Sequence, residues 1–144
     1  KIETLNTQAP PTVSLKNKTV LVVDDNRINR KIVEMALDGS QAQVIQAENG
    51  QVAVDKFQEN EIDIILMDCL MPVMDGFKAT QAIRAKELQP GIVPIIAITA
   101  STSDEINKQC RASGMDDIML KPFDFEELVK NVASWIKQKK TPSN

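Results

Sequence analysis

Residues 19–24 read TVLVVD, a short apolar run rich in valine that ends in a carboxylate. Such a run predicts a strand buried on both faces, and strands of this kind are typical of parallel sheets. Similar runs occur at residues 62–68 (IDIILMD) and 93–99 (VPIIAIT), and each also ends in a polar residue. These three stretches predict an α/β protein built on a parallel sheet.

Helical segments and two shorter strands fill the sequence around these runs. The shorter strands are predicted at residues 43–47 and 117–120. The helices are predicted at 26–38, 50–59, from 76 to before Pro90, at 102–113, and after Asp124; Gly39 and Gly114 mark two of the helix ends. Five strands alternating with five helices, joined by right-handed crossovers, predict a doubly wound, flavodoxin-like sheet with strand order 2-1-3-4-5.

The length of 144 residues suits one domain. We predict a linker at residues 1–16, the domain at 17–138 and a flexible tail at 139–144. The linker prediction rests on Pro10-Pro11 and on scattered polar residues without a period. The chain does not begin with methionine and shows no signal peptide, so we expect a segment of a longer protein.

The composition excludes several classes of function. The chain contains no histidine, which excludes histidine-based triads and histidine metal sites. A net charge of −3 predicts no binding of nucleic acid and no direct contact with an anionic membrane. Cys69 and Cys110 form no close-spaced motif, so we expect a reducing cytoplasm rather than a disulfide framework.

Polar side chains follow four of the predicted strands. Asp24-Asp25 follow the first strand, Asp68 ends the third, Thr99 ends the fourth and Lys121 follows the fifth. Because the carboxyl ends of parallel strands share one edge of a sheet, these groups should converge in one crevice. Three carboxylates need a counter-charge, which Lys121 and a divalent cation would supply. Mg²⁺ suits such oxygen ligands and keeps waters that phosphate oxygens replace.

The predicted chemistry is phosphoryl transfer onto a carboxylate. No glycine-rich nucleotide cradle is present, so the crevice should hold a phosphoryl group rather than a whole nucleotide. A carboxylate that attacks phosphorus forms an aspartyl phosphate. The metal and Lys121 would neutralise the phosphoryl oxygens, and Thr99 would donate a hydrogen bond to one of them.

Four blocks of sequence resemble the receiver domains of two-component signalling. They are VDDN at 23–26, MDCLMPVMDG at 67–76, TA at 99–100 and KP at 121–122. The resemblance covers about residues 18–138. The stretch DNRINR at 25–30 is similar to receivers attached to hybrid histidine kinases.

The resemblance implies a role for each residue at the strand ends. Asp68 would be the phosphoacceptor, Thr99 the switch hydroxyl and Lys121 the partner of the phosphoryl group. Asp25, Asp68 and the backbone carbonyl of Leu70 would ligate Mg²⁺ directly, with Asp24 acting mainly through water. A cis peptide bond is expected at Lys121-Pro122.

The resemblance also implies partners and a location. The chain would be a phosphoprotein of a phosphorelay, taking its phosphoryl group from a phosphohistidine. Its partners would be a histidine kinase, a histidine phosphotransfer domain, or both, in the cytoplasm. The parent chain could be a membrane-bound hybrid kinase; the alternative is a stand-alone, single-domain response regulator that acts through protein contacts.

The first helix has two apolar strips. At 100° per residue, one face collects Asn29, Val33, Ala36 and Leu37, and an adjacent strip collects Ile28, Ile32 and Met35. Packing one helix on one sheet does not require both. The second strip is either a wide edge of the core or a docking patch for a partner helix, and we favour docking.

Three positions depart from features common among receivers. Ile118 occupies the place of an aromatic residue that usually reports phosphorylation. Leu70 and Ser101 occupy the two places that flank the approach of water to phosphorus. Neither is suited to position a water, so we expect slow self-dephosphorylation.

Two rival functions fit the sequence less well. A phosphatase of the haloacid-dehalogenase type needs a second acid two residues after the nucleophile, where this chain has Leu70. A receiver-like protein that only binds partners should have a broken acid pocket, and here every pocket residue is present.

Overall fold

The structure is a computed structural model that describes residues 14–71, 73–87, 92–100 and 103–138. Five parallel strands form one sheet: β1 (Thr19–Val23), β2 (Gln43–Ala47), β3 (Ile64–Asp68), β4 (Ile95–Thr99) and β5 (Asp117–Leu120). Their order is β2-β1-β3-β4-β5, which confirms the predicted doubly wound sheet. Most of the predicted linker (residues 1–13), Ser101 and the predicted tail lie outside the described residues.

Five helices alternate with the strands, also as predicted; four connect successive strands and the last follows β5. They are α1 (Arg27–Asp38), α2 (Gly50–Glu59), α3 (Gly76–Lys86), α4 (Asp104–Ser113) and α5 (Phe125–Gln138). Each is preceded by a side chain that accepts a hydrogen bond from a backbone N–H of the first turn: Asn26, Asn49, Asp75, Ser103 and Asp124. These caps satisfy N–H groups that the helices themselves leave unpaired. None of the described helices is long and apolar enough to cross a membrane.

Two apolar layers cover the sheet. One layer, under α2, α3 and α4, includes Leu21, Ile65 and Ile83; the other, under α1 and α5, includes Val22, Leu66 and Leu128. Leu15 belongs to the second layer, and its N–H donates to the Ser40 carbonyl at 2.7 Å. The packed part of the chain therefore begins inside the segment predicted as a linker, because an apolar side chain there reaches the core.

The carboxyl end of α1 is not formed by a glycine in the left-handed conformation. Gly39 keeps right-handed helical angles, and the left-handed residue is Gln41, with φ of 70°. The Ser40 N–H and hydroxyl both donate to the Leu37 carbonyl, which extends the turn past Gly39. At the end of α4, Gly114 has φ of 106° and is the left-handed terminator that the sequence predicts.

The amino edge of the sheet is tied together by Arg84, near the end of α3. Its guanidinium donates to the carbonyls of Gly114 and Val93, at 2.8 and 2.7 Å. It also pairs with Asp116 at 2.8 Å and with Glu87 at 3.1 Å. One side chain thereby links α3 to the end of α4 and to the starts of β4 and β5.

Strand register places the polar residues at the opposite, carboxyl edge. Neighbouring strands end level with one another, in the pairs Val23–Met67, Asp68–Ile98 and Thr99–Leu120. Asp24 and Lys121 each come one residue after a strand end. The sheet thus brings the polar ends of four strands to one place.

Candidate functional site

Three carboxylates meet at the carboxyl edge of the sheet. One oxygen from each of Asp24, Asp25 and Asp68 lies within 4.8 Å of the others. Asp24 is buried, Asp68 is partly buried and Asp25 is exposed. The sequence predicted this convergence from the strand ends.

The β1–α1 loop (residues 24–26) is held by hydrogen bonds. Asp24 Oδ1 accepts from the Asn26 N–H at 2.8 Å, and Asp24 Oδ2 accepts from Lys121 Nζ at 3.0 Å. Asn26 Oδ1 in turn caps α1 by accepting from the Ile28 N–H at 2.8 Å. The Arg30 guanidinium donates to the Asp24 carbonyl at 2.7 Å. Sequence reasoning did not find the roles of Asn26 and Arg30; the N-cap preference of asparagine was the available signal for the first.

The Asp68 carboxylate lies farther from its partners than the Asp24 carboxylate does. Lys121 Nζ lies 4.0 Å from Asp68 Oδ2, and the Leu70 N–H donates to Asp68 Oδ1 at 3.4 Å. Burial, followed by the negative charge of Asp24, raises the pKa of Asp68 to about 6, although Lys121 opposes the rise. One ammonium group therefore does not balance the acid cluster. An all-oxygen donor set with excess negative charge fits a hard divalent cation.

The β3–α3 loop (residues 69–75) is positioned by close backbone packing. The Gly76 N–H donates to the Cys69 carbonyl at 3.0 Å, and a Cβ on Gly76 would overlap the Asp68 carbonyl oxygen. Val73 has φ of 71°, and its side chain is 84% exposed. Leu70 is 67% exposed. This loop thus carries a strained residue and two unburied apolar side chains beside Asp68.

Thr99 and Lys121 lie at the same edge. The Lys121 N–H donates to the Thr99 carbonyl at 2.9 Å, and the Thr99 side chain is buried. The Lys121-Pro122 peptide bond is cis, as the resemblance implied. The structure therefore gathers the predicted aspartates, Thr99 and the lysine at a single crevice.

A pair of thiols behind the acid cluster was not anticipated. Cys69 Sγ lies 3.8 Å from Cys110 Sγ, and both residues are buried. Burial raises the pKa of both thiols, so Cys69 is not an activated nucleophile. The sequence separation of 41 residues carries no signal of this contact.

The second strip of α1 is exposed. Ile28 is 69% exposed, and Ile32 and Met35 are also open to solvent, whereas Val33 and Leu37 are buried against the sheet. The strip adjoins a cavity of about 190 Å³ whose walls include Ile32 and, at the acid cluster, Asp24 and Lys121. The exposure that docking requires is present at this strip; the docking role stays a prediction.

Comparison with known proteins identifies the family. The family model described as response regulator receiver domain matches residues 20–133. The chain belongs to this family. It is therefore a receiver domain of two-component signalling, and all four sequence blocks lie within the matched residues.

The relatives of this receiver include parts of large sensor proteins. It is 39% identical over 127 residues to sensor protein GacS of Pseudomonas syringae pv. syringae, covering 87% of this chain and 14% of that protein. It is 37% identical over 121 residues to hybrid signal transduction histidine kinase A of Dictyostelium discoideum, covering 82% of this chain and 6% of that protein. The receiver is thus similar to those of hybrid sensor kinases, and it spans only a small part of the length of these relatives.

A solved structure of similar shape comes from such a kinase. The receiver domain of the Pseudomonas aeruginosa PAO1 sensor histidine kinase PA1611 superimposes with a TM-score of 0.77 at 37% identity, covering 83% of this chain and 98% of that one. That structure has a magnesium ion coordinated in its active site cleft. The acid cluster of the present receiver lies at the carboxyl edge of the same kind of sheet.

Proposed function

We propose that this receiver accepts a phosphoryl group from a phosphohistidine onto Asp68 and relays it to or from a histidine phosphotransfer partner. The observation that carries the proposal is the setting of Asp68: two further carboxylates within 4.8 Å and an ammonium 4.0 Å away. Asp68 is thus a carboxylate nucleophile beside an ammonium and beside two carboxylates that would hold a divalent cation, and these two positive charges would balance an incoming phosphoryl group. The two free cysteines and the sensor-type relatives support a location in the cytoplasm.

Asp25, Asp68 and the Leu70 carbonyl would hold Mg²⁺ directly, with Asp24 acting mainly through water. The bound ion would supply positive charge to the phosphoryl oxygens. Asp24 is already engaged by Lys121 and by the Asn26 N–H, which suits it to an indirect role. Asp25 is exposed and therefore accessible to an ion from solvent.

The transfer itself is a substitution at phosphorus. One carboxylate oxygen of Asp68 forms a bond to phosphorus while the bond from phosphorus to the donor nitrogen breaks, and that nitrogen keeps the electron pair. Lys121 stands between Asp24 and Asp68, so its ammonium is placed to contact the arriving phosphoryl oxygens. The Thr99 hydroxyl would donate a hydrogen bond to one of these oxygens.

Incubation with Mg²⁺ and a small phosphodonor, followed by intact mass measurement, tests the proposal. We expect wild-type protein to gain one phosphoryl group and Asp68→Asn to gain none, because the amide keeps the shape but is not a nucleophile. Asp25→Ala should need a higher Mg²⁺ concentration for the same labelling rate. Labelling of Asp68→Asn at the wild-type rate would contradict the proposal.

We further propose that the partner docks on the exposed strip of α1, formed by Ile28, Ile32 and Met35. Ile28→Asp should block transfer from a phosphorylated histidine phosphotransfer domain, because it places a charge in an apolar contact, yet leave labelling by the small phosphodonor intact. Leu120→Asp is the matched control, since Leu120 is also exposed but lies at the end of β5. Equal transfer to both variants would contradict docking at α1.

The lifetime of the phosphorylated form should be long. Hydrolysis needs a water held in line with the bond that breaks, and the exposed Leu70 side chain offers no hydrogen bond to such a water. Leu70→Asn should therefore speed phosphate loss at saturating Mg²⁺. Unchanged or slower loss, followed by intact mass over time, would show that Leu70 does not limit hydrolysis.

A further inference from the structure

The two buried thiols lie directly behind the proposed phosphoacceptor. Cys69 follows Asp68 at the end of β3, and Cys110 projects from α4. Their sulfur atoms are 3.8 Å apart, and each residue is at most 1% exposed. Within the described ranges these are the two free cysteines, so each is the other's nearest available thiol partner.

We propose that Cys69 and Cys110 form a reversible disulfide under a peroxide-class oxidant, and that this bond slows phosphoryl acceptance at Asp68. The sulfur atoms are already in contact, and a disulfide needs an S–S distance of about 2.05 Å, so they must approach by roughly 1.8 Å. In a reducing compartment, a bond of this kind serves transient sensing rather than permanent stabilisation.

Formation of the disulfide needs a peroxide as its only co-reactant. One thiol attacks the O–O bond of the peroxide, becomes a sulfenic acid and releases water. The second thiol then displaces the hydroxyl group of the sulfenic acid, which releases a second water and forms the S–S bond. A dithiol reductant returns both cysteines to the thiol form. Because burial keeps both thiols protonated, the attack requires a local opening around α4 that admits the oxidant and lets one thiol ionise in contact with water.

The effect on Asp68 follows from how tightly its neighbours are packed. The Cys69 carbonyl accepts a hydrogen bond from Gly76, and Gly76 packs so closely on the Asp68 carbonyl that even one added carbon would overlap it. On the other side, the end of α4 is held where Arg84 bonds Gly114. The backbone is thus held on both sides of the thiol pair, so we expect strain from the approach of the sulfurs to reach the peptide unit that joins Cys69 to Asp68.

Displacement of a reacting group by about one ångström can lower a rate by about a hundredfold. Cys69 also lies between two of the proposed Mg²⁺ ligands, Asp68 and the Leu70 carbonyl. A shift of Cys69 thus affects the nucleophile and the proposed ion site together. The effect on acceptance rests on the function proposed above, whereas formation of the bond does not.

The experiment treats the whole chain with hydrogen peroxide, removes the oxidant, and divides the sample. Intact mass without reductant should show the loss of two hydrogen atoms in the monomer. Labelling with Mg²⁺ and a small phosphodonor should be at least about tenfold slower than in reduced protein, and dithiothreitol should restore it.

Cys110→Ala is the matched control, because it removes the partner thiol and leaves the sequence of the β3–α3 loop unchanged. Its labelling should be unaffected by the same treatment, and a cooperative thermal transition shows that it is folded. Addition of oxygen instead of loss of two hydrogens, or disulfide formation with unchanged labelling, would overturn the proposal. If reduced wild-type protein is not labelled at all, the proposed function fails and the effect on acceptance fails with it, while the mass result alone still decides whether the disulfide forms.

Discussion

The β1–α1 loop and the β3–α3 loop bring carboxylates to the same edge of the sheet, but they are held there by different forces. In the first, Asp24 and Asn26 are fixed by hydrogen bonds from Lys121 and from backbone N–H groups. In the second, Asp68 sits on the backbone of Gly76, and the loop contains a valine with positive φ. Directional bonds position Asp24 and the β1–α1 loop, whereas steric fit positions Asp68, the proposed nucleophile. Substitutions in the two loops should therefore fail in different ways.

The largest expected effect comes from adding a side chain at Gly76, which packs against the Asp68 carbonyl. Gly76→Ala should lower the free energy of unfolding by about 2–3 kcal/mol, because the added carbon would push the Asp68 carbonyl out of place. Labelling by a small phosphodonor should also be lost where the variant is still folded. Gly39→Ala is the control, since nothing lies within 4 Å of the added carbon there. Equal stability of the two variants, measured by urea unfolding, would show that close packing does not position Asp68.

The next-largest effect is on stability: Asp68→Asn removes the charge of Asp68 and keeps the shape of its side chain. Because burial and Asp24 raise the pKa of Asp68 to about 6, the folded protein binds a proton more tightly than the unfolded chain does. Stability should therefore fall as pH rises from about 4 to about 6. Without Mg²⁺, Asp68→Asn should be more stable than wild type by about 1–2 kcal/mol above that range.

The gain from Asp68→Asn should disappear below about pH 4, where the carboxyl is protonated in both states. Added Mg²⁺ should raise the thermal midpoint of the wild type at pH 8 and raise that of the variant less. A gain that is constant from pH 4 to pH 8 would mean that the raised pKa is not its cause.

A smaller effect tests the hydrogen-bonded loop. Asn26→Ala should lower the free energy of unfolding by about 1 kcal/mol, because α1 loses its N-terminal cap. It should also raise the Mg²⁺ concentration needed for labelling, since Asn26 holds the loop that carries Asp24 and Asp25. Asn49→Ala removes the equivalent cap of α2 and should leave the Mg²⁺ requirement unchanged. The same Mg²⁺ titration for both variants would remove the proposed role of Asn26.

The smallest effect concerns the strained residue of the other loop. Val73→Asn should raise the free energy of unfolding by about 0.5–1 kcal/mol, because asparagine tolerates the left-handed conformation and a β-branched residue does not. Val73→Ala should fall between the two, since it removes the branch but keeps Cβ. If valine proves the most stable of the three in urea unfolding, the positive φ carries no strain.

Much of this architecture could be predicted because local sequence patterns map directly onto the sheet. An apolar run followed by a polar residue predicts both a strand and a side chain at its carboxyl edge, as for Asp68 and Thr99. Two features depended on packing between distant segments and gave no local signal. Cys69 meets Cys110 only because α4 lies over the end of β3, and Lys121 lies nearer Asp24 than Asp68 because of how three side chains fit together. The positive φ of Val73 runs against the preference of its residue type, so propensity could not predict it.

The bonds from Arg84 to Gly114 and Asp116 hold one end of α4, so that any tilt of the helix would occur about that end. They anchor the helix at its carboxyl end, at the far edge of the sheet from the acid cluster, while the opposite end begins near Thr99. A ten-residue helix is about 15 Å long, so a tilt of about ten degrees about the anchored end would move its amino end by about 2.6 Å. Ser103, at the amino end, would move about three times as far as Cys110, which lies one turn from the anchored end.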